Sequence, residues 1–296
     1  MTPTGSTLSR RILARQLREL REKAGVTAEY ARTSIGVAKQ TLWRMETGQP
    51  VRLNPLFIER LCQVYGADED VTGMLLELTG ETRRTEWWHA YGDAVPKHFG
   101  TFLGLEEAAT RTISYHATLI PGLLQTADYH RALLEASSPG LTEEAVEQQI
   151  ELLGRRKFRL TNPADPLRVE VIVDECSLRR PIGGRTVMSA QLRHLARAGH
   201  LRNVSIRVIP LDTAYGGLAV GPFVILEFPS HPTAQLTEPP IVYLQGHLDA
   251  QYLEEADDVR RYQQIYDGLR QAALDETRSR ALIKSIVKSI VAEYAT

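Results

Sequence analysis

Asp174, Glu175 and Arg179 stand at the C-terminal end of the apolar run VEVIVD (169–174). In sheets with parallel strands, ligands favour the crevice outside those strand ends, so the three form a candidate pocket for a ligand or partner. Arg155, Arg156 and Arg159 lie on one helical stretch just before that strand. They either meet an acidic ligand or pair with Asp and Glu, and Asp174 and Glu175 serve equally well as a helix cap and an ion pair. His194 and His200 are six residues apart, on different faces of a helix, so no metal site is expected. The glycines Gly216, Gly217 and Gly221 do not have the spacing of a dinucleotide fingerprint and read as a surface loop. The chain has no GxxxxGK loop, no GxSxG elbow, no HExxH and no HxK pair. Neither a catalytic residue nor a cofactor is expected, and a nucleotide-dependent enzymatic body stands as a further alternative.

The elements that must position these residues follow from composition and period. A length of 296 residues is about that of two domains. No apolar stretch approaches the ~20 residues of a membrane span. The start, MTPTGSTLSRR, lacks a secretory apolar segment, so a cytoplasmic, nucleoid-associated protein is expected. The two cysteines, Cys62 and Cys176, show no ligand spacing and read as reduced thiols. The net charge of −1 conceals an asymmetry: residues 1–66 carry 11 Lys and Arg against 5 Asp and Glu, a surplus of +6. A basic head on an acidic body suits a module that meets phosphates.

Within that head, Leu13, Leu17, Leu20 and Ala24 recur at three- and four-residue steps, which predicts an amphipathic helix over 9–24. Gly25 ends it and Thr27 caps a short second helix. Gly36 then turns the chain into a third helix, about Lys39–Glu46, stopped by Gly48 and Pro50. Asn54-Pro55 opens a fourth. Short helix, glycine turn and short helix make a helix-turn-helix unit, with Ala31, Ile35, Val37 and Leu42 at the contact and a polar outer face on the second helix of the pair.

The run AGVTAEYARTSIGVAKQTLWRMETG (24–48) resembles the phage-repressor-like Xre family, with Gly25, Thr27, Glu29, Gly36, Val37, Arg44, Glu46 and Gly48 in register. Two positions depart from its pattern. Arg32 stands in mid-helix beside Ala31, and Ala38 replaces a capping Ser worth about 1 kcal/mol. The resemblance implies that Lys39, Gln40, Thr41 and Trp43 present to base edges, with Gln40 suited to adenine and Lys39 to guanine. Arg44 either reads a base or phosphate or pairs with a neighbouring Glu. Trp43 is either a base contact or a packed aromatic. Thr27, Arg52 and Asn54 fall near helix ends that touch phosphate.

These patterns divide the chain into a domain at 1–80, a connecting segment at 81–105 whose Trp87 and Trp88 bury it on the body, and a regulatory domain at 106–296. Helical patterns are read near 104–118, 126–136 and 142–160. Strands follow at 169–174, 204–210, 223–228 and 241–245, with a crossover helix over 186–199 and two closing helices. The fold class is an all-α head followed by an α/β or α+β body with a mixed sheet of about four to six strands. The segment ISYHATLIPGLLQTADYHRALL (113–134), with VDECSLRRPIGG and the later strands in order, resembles a large actinobacterial family. Its members carry an uncharacterised domain behind an Xre-type head, often with a small partner protein encoded nearby. Within it, Pro121–Thr126 is a structural hinge or a partner-docking surface.

The last helix carries a stripe of Leu282, Ile283, Ile286, Val287, Ile290, Val291 and Tyr294, which docks on the body or pairs with a second copy. The expected protein is a homodimeric transcription regulator that binds double-stranded DNA and senses a small molecule or small protein. The alternative is a protein-interaction switch that controls a small partner.

Overall fold

The computed structural model describes residues 7–83, 86–214, 219–246 and 249–292. Gly216, Gly217 and Tyr294 therefore lie outside the described residues. The chain forms two compact units, and their boundaries are not simple cuts in the sequence. The first takes in residues up to Ala90, then Gly100–Ala108 and Pro229–Glu238; the second takes in Tyr91–Phe99, Ala109–Phe228 and Pro239 onward. The expected connecting segment is thus shared between the two units. A stretch from far along the chain, Pro229–Glu238, joins the first.

Five helices build the first unit: α1 (Thr7–Lys23), α2 (Ala28–Ser34), α3 (Lys39–Glu46), α4 (Pro55–Tyr65) and α5 (Glu69–Glu81). Leu13 and Leu17 of α1 meet Ala31, Leu42, Ile58, Leu61 and Leu75 in one core, the burial that its three- and four-residue leucine steps dictate. Helix α5 was not anticipated, although Asp68 caps it and Glu69 and Asp70 suit its positive end. Trp88 is buried, with Trp87 edge-on at 5.5 Å. Residues 229–238 lie on α1, where Arg11 pairs with the buried Glu238 at 3.2 Å. Arg15 donates to the carbonyls of Gln235 and Thr237 at 3.0 Å.

The second unit holds a six-stranded sheet in the order β3-β2-β1-β4-β5-β6. Its strands are β1 (Arg111–His116), β2 (Arg168–Asp174), β3 (Val204–Ile209), β4 (Phe223–Glu227), β5 (Ile241–Gln245) and β6 (Ala250–Leu253). Strand β1 pairs parallel with β2, as β2 does with β3, and β4 to β6 run antiparallel, which gives the expected mixed sheet. The helix read over 104–118 is corrected. Helix α6 (Lys97–Ala108) ends early, and Arg111–His116 is the strand between the parallel and antiparallel halves. Buried on both faces, β1 carries Ile113 and Tyr115 on one side and Thr112 and Ser114 on the other, so its apolar alternation is diluted.

Helices α7 (Ala127–Ser137) and α8 (Glu143–Thr161) connect β1 to β2; α9 (Glu175–Arg179) and α10 (Gly184–Ala198) connect β2 to β3. Helix α11 (Ala256–Ala272) covers one sheet face with Val259, Tyr266 and Leu269 against Ile113, Phe223 and Val242. Helix α12 (Glu276–Ala292) buries Ile283 and Ile286 and closes the open edge of β3. There the Val208 N–H donates to Ser279 Oγ at 3.0 Å, and the Leu274 N–H donates to the Val208 carbonyl at 2.9 Å. Covering an edge in this way removes a template for wrong pairing.

Candidate nucleic-acid interface

The turn between α2 and α3 forms because Gly36 adopts φ +67, a left-handed value that costs glycine little. Ala31, Ile35, Leu42 and Met45 are buried where the two helices meet. Residues on the inner face of α3 are therefore Leu42, Met45 and Glu46. Lys39, Gln40, Trp43 and Arg44 follow at the complementary spacing and are exposed, Trp43 by 53%, while Thr41 is half-buried at the margin. Trp43 is thus not a packed core aromatic.

The ion pairs of this unit draw on other arginines. Arg21 of α1 donates through Nε to both Glu46 oxygens at 2.8 and 3.0 Å, and the Tyr65 hydroxyl donates to the same carboxylate at 3.3 Å. Burial and then the Glu46 charge push the Tyr65 hydroxyl far up, while the Glu46 bond raises Arg21. Glu46 thus ties α3 to α1 and α4. Arg32, the departure in mid-α2, pairs on the surface with Glu29, one turn back, and leaves the buried position to Ala31.

Thr27 accepts from the Tyr30 N–H at 3.2 Å and Asn54 from the Leu56 N–H at 3.1 Å, each capping a helix. A capping oxygen leaves the Thr27 hydroxyl proton and the Asn54 amide N–H groups as donors, and Arg52 beside Asn54 is exposed. Ala38 gives α3 no side-chain cap; the Thr41 N–H donates to the Ala38 carbonyl at 2.9 Å, and the Lys39 and Gln40 N–H groups keep their hydrogen-bonding capacity. Two apolar residues beside this surface are exposed: Tyr30 at 63%, which the sequence pattern does not single out, and Leu56 at 69%, an apolar position at the start of the fourth helix. The signal for Tyr30 was its place one step off the Ala31/Ile35 stripe.

In the second unit, Asp174, Glu175 and Arg179 come together, but around their own short helix. Asp174 caps α9 through the Cys176 N–H at 2.8 Å. Buried Glu175 accepts from Arg179 Nε at 2.7 Å and from the Leu211 N–H at 3.1 Å. Arg155 and Arg156 sit on α8. Arg156 lies over the Phe99 ring at 5.2 Å, and Arg155 bonds to Tyr91, whose hydroxyl also donates to Glu151 at 3.0 Å. Arg156 also crowds Gly122, where an added Cβ would meet its guanidinium at 3.2 Å.

Beside Arg156, Lys157 Nζ donates to the Gln125 carbonyl at 2.6 Å and stands 3.5 Å from His194 Nε2. His130 Nδ1 lies 2.8 Å from Gln125 Oε1. Burial and these neighbouring cations hold His130 and His194 down to about 4. Within Pro121–Thr126, Gly122–Leu124 is a single 3-10 turn and Thr126 caps α7. Asp174, Glu175, Arg179, Arg155 and Arg156 do not line a cavity of about 320 Å³ that opens at the end of β1.

Residues 12–73 match the family described as "Helix-turn-helix domain", the architecture of DNA-binding regulators. Residues 99–285 match the "Domain of unknown function (DUF5753)". No curated protein and no solved structure matches the chain. Among the described residues, no helix is long and apolar enough to cross a membrane. The second of the two family matches spans well over half of the 296 residues, and the protein belongs to the DUF5753 family, carried here behind an N-terminal helix-turn-helix domain.

Proposed function

We propose that the protein is a sequence-specific transcription regulator of the Xre type. It binds double-stranded DNA as a homodimer, and its body senses a small molecule or a small partner protein. One observation carries the reading: Lys39, Gln40, Trp43 and Arg44 share an exposed face of α3 while, among the described residues, the ion pairs of that unit are made by other arginines. With α3 in the major groove, Gln40 pairs with an adenine edge and Lys39 or Arg44 with guanine. Arg52, Thr27 and Asn54 then hold phosphates beside it. Two copies place their recognition helices about 34 Å apart, one turn of the duplex. The body acts on DNA only to the extent that its ligand prefers one form of the dimer.

The test is binding of the full chain to its own upstream DNA across a salt series, beside a Lys39→Ala/Gln40→Ala/Arg44→Ala variant. Tight binding that salt weakens steeply and the variant loses is expected. Equal binding by the variant, or a flat salt response, overturns the reading. A second reading, a switch that holds a small partner protein, draws on exposed Tyr30, Trp43 and Leu56, since aromatic residues are enriched at protein interfaces. A co-purifying small protein together with absent DNA binding favours it.

A further inference from the structure

The sheet of the second unit changes from parallel to antiparallel at β1: β2 lies parallel on one side and β4 antiparallel on the other. The carboxyl end of β1 therefore meets the amino end of β4 and the carboxyl end of β5. Open α/β sheets place ligand crevices outside the carboxyl ends of strands where the strand order reverses. The cavity of about 320 Å³ opens at this point, lined by His116, Thr118, Phe223, Val224, Tyr243 and Gln245 among others. Strand alternation and the Val224–Tyr243 register put His116, Val224 and Tyr243 on the sheet face opposite the one that α11 covers. The Phe223 side chain points to the α11 side, where its ring is edge-on to Tyr262 at 5.1 Å, so the aromatic wall on the His116 face is Tyr243, 5.3 Å from Tyr252.

We propose that this cavity is a binding site for an uncharged, largely apolar small molecule that hydrogen-bonds His116. The size falls at the lower end of ligand pockets, which run to roughly 300–1,000 Å³. Among the described residues the lining includes no Asp, Glu, Lys or Arg, so a charged ligand would be desolvated without a partner. Leu119, Pro222 and Val224 beside Tyr243 favour an apolar body. His116 supplies the polar contact: burial depresses it to about 4, so near neutral pH it is uncharged and offers one donor and one acceptor. Thr118 and Gln245, both exposed, stand at the rim. The site deepens the reading of the body as a sensor and rests on it for its biological purpose.

The experiment titrates the full chain with phenylnaphthylamine, a neutral fluorescent two-ring amine, and with the anionic anilinonaphthalene sulfonate. Thr118→Trp and Gln245→Trp obstruct the mouth from opposite sides at exposed positions, so folding is expected to survive, as checked by circular dichroism. Saturable, salt-independent, one-to-one binding of the neutral probe is expected, weakened about tenfold or more in both variants. Absence of saturation, unchanged binding in both variants, or tighter binding of the sulfonate overturns the proposal. Affinity for upstream DNA is read in the same samples. Probe binding that leaves DNA affinity unchanged upholds the site and overturns the sensor reading. DNA affinity that responds to the probe equally in wild type and both variants upholds the sensor reading and overturns this location for it.

Discussion

On the proposed reading, Gln40 meets a base edge and Arg52 a phosphate, and their substitutions separate accordingly. Gln40→Ala is expected to relax preference at one base pair, at a cost of about 1–3 kcal/mol on the preferred site, with the salt slope kept. Arg52→Ala should weaken all sequences alike and lower the salt slope by about one. Competition binding on variant sites at two salt concentrations checks both, and identical profiles for the two variants would remove the assigned roles. Glu86 offers a different residue-scale test. Burial raises its carboxyl to about 7, with nearby Glu107 adding to the rise, while the Thr7 N–H at 2.8 Å and Arg10 oppose it. A carboxyl raised in the folded state binds protons more readily than in the unfolded chain. Its penalty is therefore full above about pH 7 and relieved as the pH falls toward 4.5. Glu86→Gln should raise the melting temperature at pH 8 and leave it unchanged near pH 4.5; an equal gain at both values would contradict this.

Among the elements, α3 begins on a residue that cannot cap it. Ala38→Ser supplies an acceptor for the free N–H groups and is expected to stabilise the first unit by about 1 kcal/mol, read as a rise in its thermal midpoint. A fall would show that the start of α3 is constrained in some other way. Helix α12 has the opposite kind of importance. Its apolar stripe is plain in sequence, yet its placement rests on Ser279, which accepts from the buried Val208 N–H at the sheet edge. Ser279→Ala leaves that N–H without its acceptor and should cost about 1–3 kcal/mol, measured by denaturant unfolding. A loss below a few tenths would mean that the edge is covered some other way. The exposed Val291, by contrast, leaves the end of the stripe outside the core that Ile283 and Ile286 enter.

At the scale of the whole molecule, the titrating groups are segregated between the units. His116, His130 and His194 lie in the second unit, each depressed to about 4 chiefly by burial, whereas Glu86 lies in the first. A base depressed in the folded state binds fewer protons than the unfolded chain between about pH 4 and 6.5. The second unit therefore loses stability as the pH falls through that window, while Glu86 favours the first. Calorimetry at pH 7.5 and pH 5 should show the two transitions shifting in opposite directions on acidification, the second unit's downward and the first unit's upward, since chains of several domains need not unfold in one step. Transitions that shift together would argue against this segregation.

Much of this was legible in the residues themselves. The leucine steps of α1, the glycines at 25, 36 and 48, and the caps Thr27, Asn54 and Thr126 are local signals, and the helices they predict begin and end within a residue or two of the observed bounds. Strands β2 to β5 announced themselves as apolar runs, and the exposed face of α3 followed from helical spacing alone. The rest depended on where the chain returns. Strand β1 carries Thr112 and Ser114 on its second face and so hid its period, and β6 is a four-residue edge with little to bury. Asp174, Glu175 and Arg179 had the chemistry of a pocket, but the fold uses them as a cap and an ion pair around α9. Arg11 meets Glu238 across more than two hundred residues, and the cavity at the end of β1 draws on three separate strands. Periodicity and capping are set by side chains a few positions apart, so the sequence by itself determined most of the helices, the longer strands and the exposed face of α3. Pairings between distant segments leave no local trace, so only the tertiary structure decided the sheet order, the makeup of the two units and the place of the cavity.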